Sequence, residues 1–272
     1  MKADLCCISK YSTGSLDIGE IIELAVENEI NTIAVTDVVT FDGSKKAQLL
    51  GKIHNIDVIP GCIIYSTHDV KDKKVSIQIL CFMPKYAHRL EHIFEKERKI
   101  FKNRALMLTQ KILCICPIPS NMIFKKARDS VAPFEAHIIQ ALVESGYKKS
   151  SVSSLVYKFS KENRGTAFPS TKEVINEIHE AGGFAVLSFG ANPVHNAEKI
   201  LNNIDEIVKL GLDGLQVWHP LVKFPEKLEK IADKYNLIKI GGSEFRGCYA
   251  KQARTIGCRF TPENEVKKIK YG

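Results

Sequence analysis

What most constrains this chain is a repeated alternation of a short apolar, often β-branched run, a polar or glycine-containing turn, and a stretch with helical spacing. The first copy is Ala3 to Ser15, where Ala3 to Ser9 reads as a strand and Lys10 to Ser15 as the turn. A helix from about Asp17 to Asn28 follows, with Glu20 three residues after the capping Asp17 and Ile18, Ile21, Ile22 and Ala25 at i, i+3, i+4, i+7. Asn31 to Asp37 is almost continuously apolar, as a parallel strand covered on both faces should be. A mixed segment, Gly43 to His54, leads to Asp57–Ile64 and a hairpin-like return over Val75–Phe82. From Ser170 the alternation resumes. A helix stopped by Gly182-Gly183, strands at Phe184–Ser188, Gly214–Trp218 and Leu237–Ser243, and helices at Ala197–Leu210 and Pro225–Tyr235 follow in turn. Such a pattern predicts an α/β fold with a parallel sheet, and about seven strands favour closure into a (β/α)7 TIM-like barrel with any chemistry at the C-terminal strand ends.

The alternation breaks at Pro84. Tyr86 to about Leu113 holds no Gly or Pro and alternates charges on an amphipathic pattern, which predicts one long helix ended by Pro117 and Pro119. Shorter helical patterns lie around Asn121–Ala127 and Glu135–Glu144. The organisation expected is a barrel from 1–85 and 164–272, with a helical insertion, 86–163, standing over its mouth.

With 272 residues and 44% hydrophobic content, one large core suffices. A net charge of +8 favours an anionic partner, although a solvated basic surface accounts for it equally well. None of the eight cysteines has zinc-ribbon or disulfide-scaffold spacing, and no uncharged apolar run is long enough to span a membrane. The expectation is a soluble cytoplasmic protein with reduced thiols and no membrane partner; the sequence specifies no protein partner. P-loop, Rossmann and Ser-His-Asp signatures are lacking.

The strand ends carry the most specific signals. They read Asp4-Leu5-Cys6-Cys7-Ile8-Ser9, Thr36-Asp37-Val38-Val39-Thr40, Pro60-Gly61-Cys62-Ile63, Gln78-Ile79-Leu80-Cys81-Phe82, Gly182-Gly183-Phe184-Ala185-Val186-Leu187-Ser188-Phe189-Gly190 and Gly241-Gly242-Ser243-Glu244-Phe245-Arg246-Gly247. Over nearly its whole length the chain resembles the PHP (polymerase and histidinol phosphatase) superfamily, in the branch of nucleotide and short-oligonucleotide phosphoesterases. The corresponding family motifs are D-L-H-x-H-S, T-D-H-D-T, P-G-x-E, a histidine before I-L-G-Y, G-G-x-x-x-L-A-H-P and G-G-S-D-F-H-G. The insertion's R-P-H-I-A-x-A-L-V is echoed from Glu135 to Val143, where His137 survives.

The resemblance implies a metal-dependent phosphoesterase, yet the residues at its metal-ligand positions depart from it. Ile8, Val38, Ile63 and Phe189 offer no lone pair, so no metal or other cofactor is expected. The leading expectation is a pseudoenzyme that binds a nucleotide or other phosphorylated small molecule, or regulates a partner. The alternative is a phosphoesterase with a remodelled site, in which His137 serves as acid-base and Arg246 as charge clamp. Candidate anion- or ligand-binding residues are Arg246, His137, Glu244, Cys6, Asp37 and Gln78. Bland readings stand beside each: Cys6 a small buried hydrophobe, His137 a helix histidine with a local hydrogen bond, Asp37 a partner for a backbone amide or lysine, His219 structural. Glu244 and Arg246, at i and i+2, point the same way on an extended strand end and can neutralise each other.

Overall fold

The computed structural model describes residues 1–70, 73–162, 167–189, 199–250 and 254–271. Strands β1 (Ala3–Cys7), β2 (Thr32–Val35) and β3 (Asp57–Val58) form a parallel sheet in that order. Strands β4 (Gly61–Val70), β5 (Lys73–Phe82), β6 (Phe184–Ser188), β7 (Gly214–Trp218) and β8 (Ile238–Gly241) form a second sheet in chain order. β5 pairs antiparallel with both β4 and β6, whereas β6, β7 and β8 are mutually parallel. The described strands thus number eight in two sheets; β5 runs antiparallel beside β4, as the expected hairpin-like return requires, and the second sheet is therefore mixed rather than wholly parallel. A ten-residue hairpin needs no crossover helix, so the chain returns at once beside β4.

Two single bridges join the sheets. Cys7 pairs with Phe245, with Ile8 N–H donating to the Phe245 carbonyl at 2.9 Å, and Val38 pairs with Ile63, with Ile63 N–H donating to the Asp37 carbonyl at 3.0 Å. Both junctions lie at strand ends that carry the motifs.

Helix α1 (Ile18–Glu27) has the expected capping box, Glu20 N–H donating to Asp17 Oδ1 at 3.2 Å and Asp17 N–H to Glu20 Oε2 at 2.7 Å. It packs with α2 (Asp42–His54) on the outer face of the first sheet, burying Ile18, Ile21, Ile22 and Ala25 in one core cluster with Val35 and Phe245. A larger cluster unites the inner face of both sheets with α7 (Thr171–Glu180), whose N-cap Ser170 Oγ accepts from Glu173 N–H. The long helix α3 spans Glu91–Leu113, and α4 (Ser120–Lys126), α5 (Glu135–Glu144) and α6 (Lys149–Glu162) follow. Leu108, Ile112, Ile123, Ile138, Leu142, Val152 and Val156 give this helical segment a core cluster of its own. Sequence alone assigns no separate helix to Lys149–Glu162, although Val152, Leu155, Val156 and Phe159 stand at i, i+3, i+4, i+7, nor to Glu263–Tyr271, where only Val266 and Ile269 are apolar and buried. The expected helix over Ala197–Leu210 lies partly outside the described residues, as do Gly190 and Asn163; within it, Ile204–Val208 is helical. Among the described residues no helix is long and apolar enough to cross a membrane.

One charge in α3 is out of keeping with its surroundings. Glu97 is fully buried, with Oε2 accepting from Tyr65 N–H at 2.9 Å and Oε1 without a hydrogen-bond partner among the described residues. Burial drives its pKa well above the usual carboxyl range, against the pull of the Tyr65 amide and Arg104. A raised folded-state value means that below about pH 4.5 both states are protonated and no penalty applies, whereas stability falls as pH climbs from there toward the folded value. Glu97→Gln keeps the acceptor for Tyr65. It is expected to stabilise the protein by about 1–2 kcal/mol at pH 8 and by almost nothing at pH 4, read as the difference in unfolding free energy between the two proteins.

Candidate functional site

The loop after β8 and the loop after β1 meet beneath the helical segment. Gly242 lets them meet: a Cβ there would stand 2.6 Å from the Cβ and backbone N of Cys6. Gly247 adopts φ +58, and a Cβ on it would strike Ser15 Oγ at 2.2 Å. The motif's glycines therefore serve close backbone approach, and the loops are stitched by Ser15 N–H donating to the Arg246 carbonyl and Cys248 N–H to Ser15 Oγ.

Two buried aspartates organise these loops. Asp4 accepts N–H groups from Cys6 (3.2 Å), Ser243 (2.9 Å) and Gly257 (2.7 Å). Asp37 accepts from Ser9 N–H (2.9 Å), Ser9 Oγ (2.6 Å) and Ser12 Oγ (2.7 Å). Burial raises both pKa values while these donors oppose it. Asp37 thus has the backbone-amide role that its bland reading assigned, and it shapes the turn that presents Thr13.

At the centre is an ion cluster around Glu244, whose side chain is 4% exposed. Arg246 donates to Glu244 Oε1 at 2.7 Å and Arg254 to Oε2 at 2.6 Å, while the second Arg246 terminal nitrogen donates to Thr13 Oγ1 at 2.6 Å. His219 Nδ1 accepts from Leu221 N–H, which leaves the proton on Nε2 to donate to Glu244 Oε2 at 3.1 Å. Burial alone would raise the Glu244 pKa, but Arg246, the His219 hydrogen bond and Arg254 outweigh it and hold the carboxyl well below its usual range. With His219 neutral, two guanidiniums face one carboxylate. The three ionised groups alone sum to one positive charge, and among the described residues Arg254 Nε is buried with no hydrogen-bond partner. Glu244 and Arg246 do meet, as their spacing suggested. The route differs from strand alternation, since Glu244 sits at φ +49 and turns its carboxylate back onto Arg246.

The other candidates fall at differing distances from this centre. Cys6 lies close enough for Glu244 to add to the effect of burial, and its thiol is pushed up to about 12; its sulfur accepts from Thr36 Oγ1. It is a protonated, fully buried group. Gln78 donates to the Tyr65 hydroxyl, and Tyr65 is near enough to Arg246 for the guanidinium to work against the upward push of burial. His137 joins the helical segment to the site loops: Nδ1 accepts from Phe134 N–H at 3.0 Å, and burial lowers its pKa to about 4 despite a hydrogen bond to the Ser12 backbone. Among the described residues no hydrogen bond joins His137 to the Glu244 cluster. Tyr65, Thr13, His219 and Arg254 complete the site without having been candidates. Arg254 lies outside every motif, and Tyr65 lies inside a strand two residues past Ile63, so only the periodicity of β4 hints that it shares the face of Ile63.

The metal-ligand positions do not fit a metal centre. Ile8, Val38, Ile63 and Phe189 are all buried in the same core cluster as Cys6. Among the described residues no three of His, Cys, Asp and Glu are grouped to hold a metal ion. The backbone frame nevertheless persists: Val39, a β-branched residue, keeps φ +51, its carbonyl accepting from Arg98 Nε (3.1 Å) and a terminal Arg98 nitrogen (2.7 Å). Such a conformation costs about 1–3 kcal/mol and is held only by its surroundings.

No family model matches the chain. It is 22% identical over 260 residues to a phosphoribosyl 1,2-cyclic phosphate 1,2-diphosphodiesterase of Eggerthella lenta, covering 92% of this chain and 96% of that protein. Its fold superposes with a TM-score of 0.85 on a Bifidobacterium adolescentis protein proposed to be a metal-dependent phosphoesterase, at 26% identity over 98% of this chain and 94% of the other. A Chromobacterium violaceum amidohydrolase, solved with bound sulfate and no metal, shares the fold at TM-score 0.80 and 18% identity over 97% and 93% of the two chains. The strand-end motifs, in order along the whole chain, and a phosphoesterase fold matched over that same length point the same way: the chain is similar over nearly its whole length to metal-dependent phosphoesterases, as the PHP resemblance of its motifs implies.

Proposed function

We propose that this protein is a PHP-fold binding module for a phosphorylated small ligand, in which arginine charge has taken the place of the family's metals. The two sheets are read as a distorted barrel closed through the Cys7–Phe245 and Val38–Ile63 bridges, formed by 1–85 and 164–272 and capped by 86–163. The observation that carries the reading is the buried Arg246–Glu244–Arg254 cluster, in which two guanidiniums share one hydrogen-bonded carboxylate. It lies at the strand ends where the family works on phosphate, while apolar side chains fill the ligand positions. A guanidinium's fork of donors suits phosphate oxygens and needs no metal to do so. The name of the Eggerthella lenta relative makes a ribose carrying a cyclic phosphate a sensible probe beside AMP and a 3′,5′-bisphosphonucleoside.

Calorimetric titration of inorganic phosphate and these three ligands tests the reading. One or two charge-assisted contacts correspond to a Kd of roughly high-micromolar to millimolar after the cost of association, and Arg246→Ala should abolish the heats. Equal heats in both proteins would make Arg246 structural and remove the proposal. Because a bound metal stabilises the folded state by RT ln(1 + [L]/Kd), about 2.7 kcal/mol at a hundredfold excess, millimolar manganese or zinc should leave the melting temperature unchanged. Manganese-dependent release of phosphate from any of the ligands would restore the remodelled phosphoesterase.

A further inference from the structure

The two guanidiniums of the cluster lie on either side of a short turn. Arg246 immediately precedes the 3-10 turn Gly247–Tyr249, Ala250 closes it, and Arg254 stands four residues further on. They bind different oxygens of one carboxylate, Oε1 and Oε2 of Glu244, so their convergence depends on the path of the chain between them. Little within the turn fixes that path. Its internal hydrogen bonds, Tyr249 N–H to the Arg246 carbonyl and Ala250 N–H to the Gly247 carbonyl, are both long at 3.3 Å, and Cys248 is exposed.

Beside the Cys248 N–H bond to Ser15 Oγ, the restraint comes from the helical segment. Lys149, the first residue of α6, donates through Nζ to the Cys248 carbonyl at 2.9 Å and to the Ala250 carbonyl at 2.8 Å. These carbonyls end a helical turn, where a cation is favoured both as a donor and by the turn's partial negative charge. Three further contacts bring the same segment onto the loops that carry the site. Tyr249 places its ring against His137 with centroids 5.8 Å apart, and Val131 N–H donates to the Tyr11 carbonyl at 3.0 Å while Ser130 Oγ donates to the Ser12 carbonyl at 3.1 Å. Tyr11 and Ser12 precede Thr13, the hydroxyl that accepts from Arg246.

We propose that Lys149 is a positioning residue for the anion site, clamping the turn between Arg246 and Arg254 so that both guanidiniums converge on one ligand. The inference rests on the anion-site reading for its purpose, but its geometry can be examined without a ligand. Lys149→Met keeps the aliphatic stem and removes the donors, and Lys149→Arg keeps a charged donor.

Amide hydrogen exchange of the Gly247–Ala250 turn, the side-chain Nε–H resonances of Arg246 and Arg254, and inorganic phosphate affinity are measured in the wild type and both variants. Expected in Lys149→Met are faster exchange confined to the turn, displaced resonances for both arginines, and phosphate binding weakened about tenfold at little change in melting temperature. Lys149→Arg should recover most of each. Unchanged exchange and resonances in Lys149→Met would overturn the proposal, as would faster exchange with unaltered phosphate affinity. Were the wild type to bind no phosphate, the anion-site reading would fall by itself. Lys149 would then be judged by the arginine resonances alone: displaced, they uphold the clamp; unmoved, they refute it.

Discussion

Glu244→Ala is expected to destabilise the protein by about 3–5 kcal/mol at pH 7, because it strips from two arginines, whose side chains are only 15% and 9% exposed, the one carboxylate hydrogen-bonded to both among the described residues. The loss reflects two stranded guanidiniums more than any net gain from the pairs, so removing a cation along with the anion should recover part of it. Glu244→Ala combined with Arg254→Ala is accordingly expected to be more stable than the single variant, a non-additivity that urea unfolding of the four proteins resolves. The pH dependence follows from the depressed Glu244 pKa. A carboxyl whose folded-state value lies below its unfolded one contributes stability that is complete above about pH 4.5 and is lost as pH falls through the folded value. The gap between wild type and Glu244→Ala should therefore stay constant from pH 8 to pH 5 and close only in stronger acid. A loss under about 1 kcal/mol at pH 7 would mean that water already solvates both arginines, and with it would go the case for a buried excess charge.

The same cluster shows where sequence reasoning reaches and where it stops. The strand-end motifs survive in the sequence because each encodes a local backbone need: glycines at Gly242 and Gly247 where loops nearly touch, and Asp4 and Asp37 where several amides or hydroxyls need one acceptor. Those needs do not vanish when the chemistry changes, so the frame stayed legible although the ligands did not. The Asp17–Glu20 box and the Glu244–Arg246 pair were legible for a similar reason, being settled within three residues. Arg254 and Lys149 were not. Each reaches the site from outside the motifs, Lys149 across 99 and 101 residues to its two carbonyls, and nothing in their immediate neighbours sets them apart from the other basic residues. The return of β5 beside β4 was legible as a hairpin, but its antiparallel pairing with β6 is a tertiary contact across about a hundred residues that local pattern does not encode. His137 shows that a motif residue can have a structural partner whatever else it does: its Nδ1 accepts from Phe134 N–H at the start of α5, and its ring also reaches the Ser12 backbone and Tyr249.

Asp37 separates the two meanings that a buried motif carboxylate in this fold can have, acceptor geometry or negative charge. If it is an organiser of the Ser9–Gly14 turn, Asp37→Ala leaves Ser9 N–H and two hydroxyls without their acceptor in a fully buried place and should cost about 3–5 kcal/mol, at about 1–3 kcal/mol for each such group less what the rotating hydroxyls regain. Asp37→Asn keeps one oxygen for Ser9 N–H, and the amide nitrogen can donate to a serine hydroxyl turned to accept, so its cost should be below about 1 kcal/mol. Burial has raised the Asp37 pKa, and the sign of its linkage is the reverse of that for Glu244: no penalty below about pH 3.8, then a growing one as pH rises toward the folded value. Asp37→Asn is freed from that penalty and should gain on the wild type between pH 4 and pH 8. Phosphate affinity provides the second axis. Thr13 stays in place in Asp37→Asn, so Arg246 keeps its hydroxyl partner and binding should match the wild type, whereas the loosened turn of Asp37→Ala should weaken it. Were the asparagine variant as damaged as the alanine one in stability and binding at pH 7, the charge beside Arg246 would be what the site uses, and Asp37 would not be the organiser of its loop.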